Sequence, residues 1–490
     1  MNFIVRCNLI ALLLFFTVSA ARGDDWPQFR GPFRDGASRE QGLLKSWPKE
    51  GPPLIWKNAK VGEGVSNLAI VGNKIYTNTH LKKREFLVCL DADTGKVKWA
   101  TLIAPARFNG GGVGAMSTPT VHRDMVYALG TSGDIVCCDA GTGRVMWRRN
   151  MVRDMGGIVP PDGYAESLLV DGKWLVCTPG GKEVTVCAMF RVNGQPVYLS
   201  GMRPWKCSTG EPAGYGSIVK ASIGKTQQYL VQTGTSLVGV RVRGGDKLWS
   251  YDGLKGDTLL GSTPIWYAQT VFASGTNASA LVWPKKNSGA STFTANEVYN
   301  SDEFSVSPHY SPIRVNDFIF GGTTNQKFSC LSLKDGKIKW ETENCGEGCS
   351  CTYADGNLYV RNVKGGVSLV SANGEKYALN GRLIIPGGGR ARGATPPVIA
   401  NGRLYLRSGS FICCYDISEN GDAGPQSGAT PGAGPQGALK PIFKPSAAEK
   451  RSQAAPAAGK KSTVKKSAET PSGPEPPAGG TKKRKLPGMP

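Results

Sequence analysis

The sequence predicts an all-β chain closed into a propeller of eight four-stranded blades, with seven blades as the alternative count. Three observations predict it. A Gly-centred hairpin ending on an aromatic residue recurs along the chain, two further strand-like runs precede the copies, and glycine is abundant. The best copy is Cys89-Leu-Asp-Ala-Asp-Thr-Gly-Lys-Val-Lys-Trp99, and it returns as Cys138–Trp147, Val240–Trp249 and Cys330–Trp340. Degenerate copies occupy Asn193–Tyr198 and Asn373–Tyr377. Each copy pairs a short apolar run with a second run across a tight turn, the hairpin pattern. Ahead of them lie Leu68–Tyr76, Thr118–Tyr127 and Ser311–Phe320, each divisible into two strands around a turn. Four strands in roughly 40–50 residues is the size of one propeller blade. The 65 glycines follow no G-X-Y period, so they fit tight turns rather than a collagen helix.

Unit ends at Trp56, Trp99, Trp147, Tyr198, Trp249, near Tyr299, Trp340 and Tyr377 give the count of blades. The stretch Ser262–Tyr299 fits the pattern least. The last runs, Arg403–Leu406 and Phe411–Tyr415, lack a terminal hairpin. They are expected to pair with the strand at Leu54–Trp56, which closes the ring and removes exposed sheet edges.

Both ends of the chain differ from this body. Residues 1–23 read as an export signal, with Arg6, an apolar run Leu9–Val18, and small residues at Val18-Ser19-Ala20 or Ala21-Arg22-Gly23. The run falls short of the roughly 20 apolar residues that span a bilayer, and no later segment is long enough. Cys7 precedes the apolar run, so it does not supply a lipid-anchored mature terminus. A monomer that is periplasmic, envelope-associated or secreted is the expectation. Residues 24–420 form the propeller, and 421–490 form a disordered tail rich in Pro, Ala, Gly and Lys. Of the net charge of +22, the tail carries twelve Lys/Arg against four Asp/Glu, ending in the run Lys482–Lys485. Contact of this basic tail with a polyanion is one expectation; a solvated charge cluster is the other.

The 13 cysteines suit disulfides in an exported chain, but their pairing is not readable from sequence. Cys345, Cys349 and Cys351 lie close together without histidine partners, which favours a local disulfide or free thiols over zinc. The pairs Cys137-Cys138 and Cys413-Cys414 sit in strand positions, where side chains alternate faces, so a bond within either pair is not expected.

The repeat resembles that of the pyrroloquinoline-quinone (PQQ) propeller family, whose pattern is Ala-Leu-Asp-x-x-Thr-Gly-x-x-x-Trp. Leu90–Trp99 matches it closely, and Asp25–Pro32 resembles the opening of a bacterial group of exported single-domain PQQ-like propellers. The resemblance implies that Trp99, Trp147, Trp249 and Trp340 pack between neighbouring blades. For quinoprotein dehydrogenases it implies PQQ beside a calcium ion held by Glu, Asn and Asp, with an Asp as base. For the propeller of the outer-membrane assembly machinery it implies a non-catalytic scaffold.

A small polar signature precedes the first strand of the units: Ser117-Thr118-Pro119, Glu166-Ser167-Leu168, Gly216-Ser217-Ile218, Ser262-Thr263-Pro264, Tyr310-Ser311-Pro312 and Ala394-Thr395-Pro396. First strands lie nearest the axis, so these loops converge on the central channel, a concave place for a ligand. The non-repeated residues there are the candidates: Glu166, Tyr215, His309, Tyr310, Arg390 and Arg392. Glu166 has the chemistry of a general base or cation ligand, and the arginines that of a carboxylate clamp. Calcium takes six to eight oxygens, whereas Asp91, Asp139 and Asp335 belong to the hairpin turns. His80, His122 and His309 are the only histidines, and no nucleophile elbow, zinc-protease helix, P-loop or dinucleotide fingerprint occurs. The expectation is therefore a non-catalytic binding or scaffold protein for an envelope protein, peptide or glycan. The alternative is a PQQ- and calcium-dependent alcohol or sugar dehydrogenase.

Overall fold

The computed structural model describes residues 24–107, 114–197, 206–254, 260–306, 310–342, 348–385 and 395–421. Eight four-stranded antiparallel sheets result, and there is no helix among these residues. Blade 1 spans residues 69–105, blade 2 120–150, blade 3 169–207 and blade 4 219–251. Blade 5 spans 265–301, blade 6 313–341 and blade 7 349–384. Blade 8 combines 398–416 with the early strand Leu54–Asn58. That early strand pairs antiparallel with Phe411–Asp416, Trp56 opposite Cys414 and Lys57 opposite Cys413, so the ring closes where expected.

The repeat motif dictates how blades dock. Asp139 Oδ1 accepts the Thr142 N–H at 2.8 Å and the Thr142 hydroxyl at 2.7 Å, which fixes the turn and holds the carboxyl below its usual range. After the turn, a bulge places two residues opposite one: Trp99 faces Cys89 while Val97 faces Leu90, leaving Lys98 unpaired. A one-residue offset flips every later side chain to the other face. The same irregularity recurs opposite Trp147, Trp249 and Trp340. The flipped indoles reach the next blade. Trp56 Nε1 donates to Ala92 O at 2.8 Å, Trp147 to Arg191 O at 3.0 Å, and Trp340 to Asn373 O at 3.1 Å. Trp99 packs under Gly143 of blade 2, where a Cβ would lie 2.5 Å from the ring.

Trp249 differs. Its Nε1 donates to Gln228 Oε1 of its own blade at 2.7 Å. The neighbour, blade 5, has a long hairpin between Ser279–Lys286 and Phe293–Ser301 in place of the Asp-x-x-Thr-Gly turn, so no turn carbonyl awaits the indole. This is the stretch that matched the repeat least.

The core is distributed. Eight apolar clusters among the described residues each join two adjacent blades, blade 8 to blade 1 included. Adjacent cysteines serve opposite interfaces: Cys137 packs toward blade 3 and Cys138 toward blade 1, and both are free thiols. Cys413 and Cys414 divide in the same way. Cys349 is disulfide-bonded.

Candidate functional site

The hydroxyls of the described loops leading into the first strands bond from one blade to the next. Thr118 Oγ1 accepts the Asn67 N–H of blade 1 at 3.1 Å, and Ser167 Oγ accepts the Thr118 N–H at 3.1 Å. Ser217 Oγ accepts from Ser167 N at 3.0 Å, Thr263 Oγ1 from Ser217 N at 3.3 Å, and Ser311 Oγ from Thr263 N at 2.9 Å. Five links thus run from blade 1 to blade 6, each satisfying a backbone donor that burial would otherwise orphan. Arginines make two further links, from blade 7 to blade 8 and from blade 8 to blade 1. Arg361 of blade 7 donates to Thr395 O and Arg407 O, and Arg407 of blade 8 donates to Asn78 O at 2.6 Å and to the Thr77 hydroxyl of blade 1.

The segment 24–40 then fills one end of the channel, and residues 43–47 continue between blades 7 and 8. Trp26 pairs with Ile70 of blade 1, and Pro27 O accepts the Val121 N–H of blade 2 at 2.8 Å. Arg34 donates to Ser167 O at 2.6 Å and Leu168 O at 3.2 Å in blade 3. Arg30 donates to Pro312 O at 2.8 Å and Ser311 O at 3.3 Å in blade 6. Ser38 N–H bonds Tyr353 O of blade 7, and Glu40 accepts from Asn401 and Gly402 of blade 8. One stretch therefore touches six of the eight first strands or the turns that end them. Burial pulls the Arg30, Arg34 and Arg361 guanidinium groups down to about 10 and Arg407 to about 9, which leaves all four charged at neutral pH. A planar fork of five donors suits this work, because it gathers carbonyls from separate strands.

The sequence candidates fall into this frame unevenly. Glu166 is buried, and its carboxylate accepts the Thr178 N–H at 2.6 Å and the Thr178 hydroxyl at 3.0 Å. Burial pushes its carboxyl up to about 7, against the pull of those two bonds and of the Arg34 charge. Glu85 braces Thr131 in the same fashion, accepting its N–H at 2.9 Å and its hydroxyl at 2.6 Å. Tyr215 donates to Asp162 Oδ2 at 2.9 Å, and burial together with that carboxylate pushes the phenol up to about 12. Tyr310 is buried beneath Gly348. His309, Arg390 and Arg392 lie outside the described residues, as do the tail from 422 and residues 1–23.

Arg30, Arg34, Arg361 and Arg407 are the residues that sequence reasoning missed. Their partners are as many as 345 positions away in the chain.

Among the described residues, a PQQ–calcium centre does not fit. The one carboxylate expected to ligate calcium already accepts two bonds from Thr178, and its charged neighbour is an arginine. The hydroxyls of the described loops already hold blades together. Among the described residues, such an arrangement braces neighbouring blades.

A family model described as outer membrane protein assembly factor BamB, of the PQQ-repeat type, matches residues 45–170 and 83–342. No curated protein sequence matches. Among solved structures, BamB from Moraxella catarrhalis is similar at TM-score 0.51 and 12% identity, covering 74% of this chain and 97% of that one. A europium-containing methanol dehydrogenase (TM-score 0.44, 12% identity, 71% of this chain and 90% of that one) is also similar. So is a quinohemoprotein alcohol dehydrogenase from Comamonas testosteroni (TM-score 0.43, 13% identity, 86% and 84%).

Proposed function

The chain belongs to the PQQ-repeat propeller family of the outer membrane protein assembly factor BamB, and on that premise we propose that it is an exported, non-catalytic binding or scaffold protein of the cell envelope. The observation that carries this reading is the filled axis. Arg30 and Arg34 tie the chain's own N-terminal segment to the first strands of blades 6 and 3, and the surrounding hydroxyls are committed to neighbouring blades. Binding then falls to the blade edges and outer loops, and the partner is an envelope protein, peptide or glycan. Residues 1–23 serve as the removed export signal, 24–420 as the propeller and 421–490 as its tail.

The test is a calorimetric and absorbance titration of the mature protein with PQQ and calcium, followed by dye reduction with small alcohols and aldoses. No saturable binding and no reduction is the expected result. Stoichiometric PQQ binding with substrate-dependent reduction would establish the dehydrogenase reading instead. Fractionation of the native host checks the location, and a protein retained in the cytoplasm overturns it.

A further inference from the structure

The segment that fills the channel is anchored on a buried carboxylate with no cation beside it. Glu40 is 8% exposed and accepts the backbone N–H of Asp24 at 3.0 Å, of Gly402 at 2.8 Å, and of Asn401. No Lys, Arg or His among the described residues lies within ion-pair distance of it. The other titratable groups around it are the Asp24 carboxylate and the Tyr359 phenol of blade 7, with Asp355 beyond, itself paired with Lys45. Burial and the Asp24 charge both push the Glu40 carboxyl above its usual range. A buried anion held only by neutral donors is costly, and a cation at one of the donor positions would relieve it.

One of the three donors can become a cation. We infer that a signal peptidase hydrolyses the Gly23–Asp24 bond and that the α-ammonium so formed on Asp24 pairs with Glu40. One water is consumed: Gly23 keeps the new carboxylate, and the Asp24 amine takes up a proton. Ala21 and Gly23 supply the small residues that such an enzyme reads three and one positions before the bond. A cut after Ala20, the other site with small residues, would leave Asp24 N as an ordinary peptide N–H and Glu40 without its counter-charge. Processing thereby locks the channel-filling segment to blade 8. This inference rests on the export reading proposed above.

Two measurements test it. The N-terminus of the exported protein, read by intact mass and terminal sequencing, is expected at Asp24. A start at Ala21 overturns the inference and leaves export standing, whereas an unprocessed chain overturns both. In the second, protein released with a native Asp24 start is compared with protein carrying a Gly-Ser-Gly extension, each with Glu40 and with Glu40→Gln. The native start is expected to melt about 3 °C higher at pH 7, and Glu40→Gln removes the difference. An ammonium paired with a carboxylate has a folded-state pKa above its unfolded value near 8. The advantage is therefore present below pH 8 and lost as pH rises through the raised folded value, so it should vanish by about pH 11. Equal melting of native and extended chains at pH 7 overturns the pairing.

Discussion

Replacing Arg34 by Met measures what the buried arginines contribute. Methionine keeps the unbranched stem and removes three hydrogen bonds, to Ser167 O at 2.6 Å, Leu168 O at 3.2 Å and Gln28 Oε1 at 2.9 Å. Leu168 O retains the Thr120 hydroxyl at 2.7 Å, and Gln28 retains its own bond to Pro32 O at 3.1 Å. Ser167 O is the acceptor left short, and a buried group without its partner costs about 1–3 kcal/mol. Removing a desolvated cation returns part of that. The net expectation is about 2 kcal/mol. At roughly 2 cal/mol/K per residue, a propeller of this size would lose about 2–3 °C in melting temperature. The local signal is larger. Hydrogen exchange in peptides covering 24–40 should speed up about 30-fold if the segment opens on its own. Arg39→Met is the control, because Arg39 pairs with Asp35 at 2.6 Å on the exposed side and should cost about 0–1 kcal/mol. If Arg34→Met and Arg39→Met behave alike in melting and exchange, the arginine does not hold the segment in place.

Three further outcomes are expected. Glu166 has a folded-state carboxyl near 7, above its unfolded value, so its contribution to stability is full below about pH 4.5 and falls as pH rises through 7. Denaturant midpoints across that window should decline more in the parent than in Glu166→Gln, by about 3 kcal/mol at the upper end; parallel curves would refute the burial argument. Gly143→Ala places a Cβ 2.5 Å from the Trp99 ring at φ +74, whereas Gly156→Ala has φ +71 and open space around it. The first should cost about 2 kcal/mol more in urea unfolding than the second, and equal losses would mean that Trp99 does not dock there. Deleting residues 421–490 should abolish salt-sensitive retention on heparin, and unchanged retention would place the polyanion contact on the propeller body.

What was legible in the sequence was local or repeated. An Asp-x-x-Thr-Gly turn followed by a Trp folds within about ten residues, so each copy announces its own hairpin. The closing pairing of Leu54–Asn58 with Phe411–Asp416 was legible because the final runs lacked a hairpin of their own. Trp249 shows the limit of such reading. Its copy keeps the glycine and the tryptophan, with Arg241 and Gly244 at the Asp and Thr positions, yet its acceptor is missing because the following blade replaced the turn. The hydroxyl signature was visible, but its use as a ring of bonds between blades was not. A residue type that returns once per blade serves the repeat, and that periodicity was the available signal. Arg30 and Arg34 carried none: the Trp-Pro-Gln-Phe-Arg-Gly run looks like a loop until partners more than a hundred residues away surround it.

The same geometry bears on how the molecule can act. Eight blades joined only by neighbour contacts would be held by eight similar apolar interfaces, with nothing spanning the ring. Residues 24–40 add bonds to six blades at once, and Arg407 bonds the last blade to the first. The segment therefore does for the ring what a hub does for spokes. Moving the segment away from the first strands would break those bonds. On the scaffold reading proposed above, recognition falls to surfaces that bracing does not consume, such as the exposed Phe33 and the outermost strands with Ile384 and Val298.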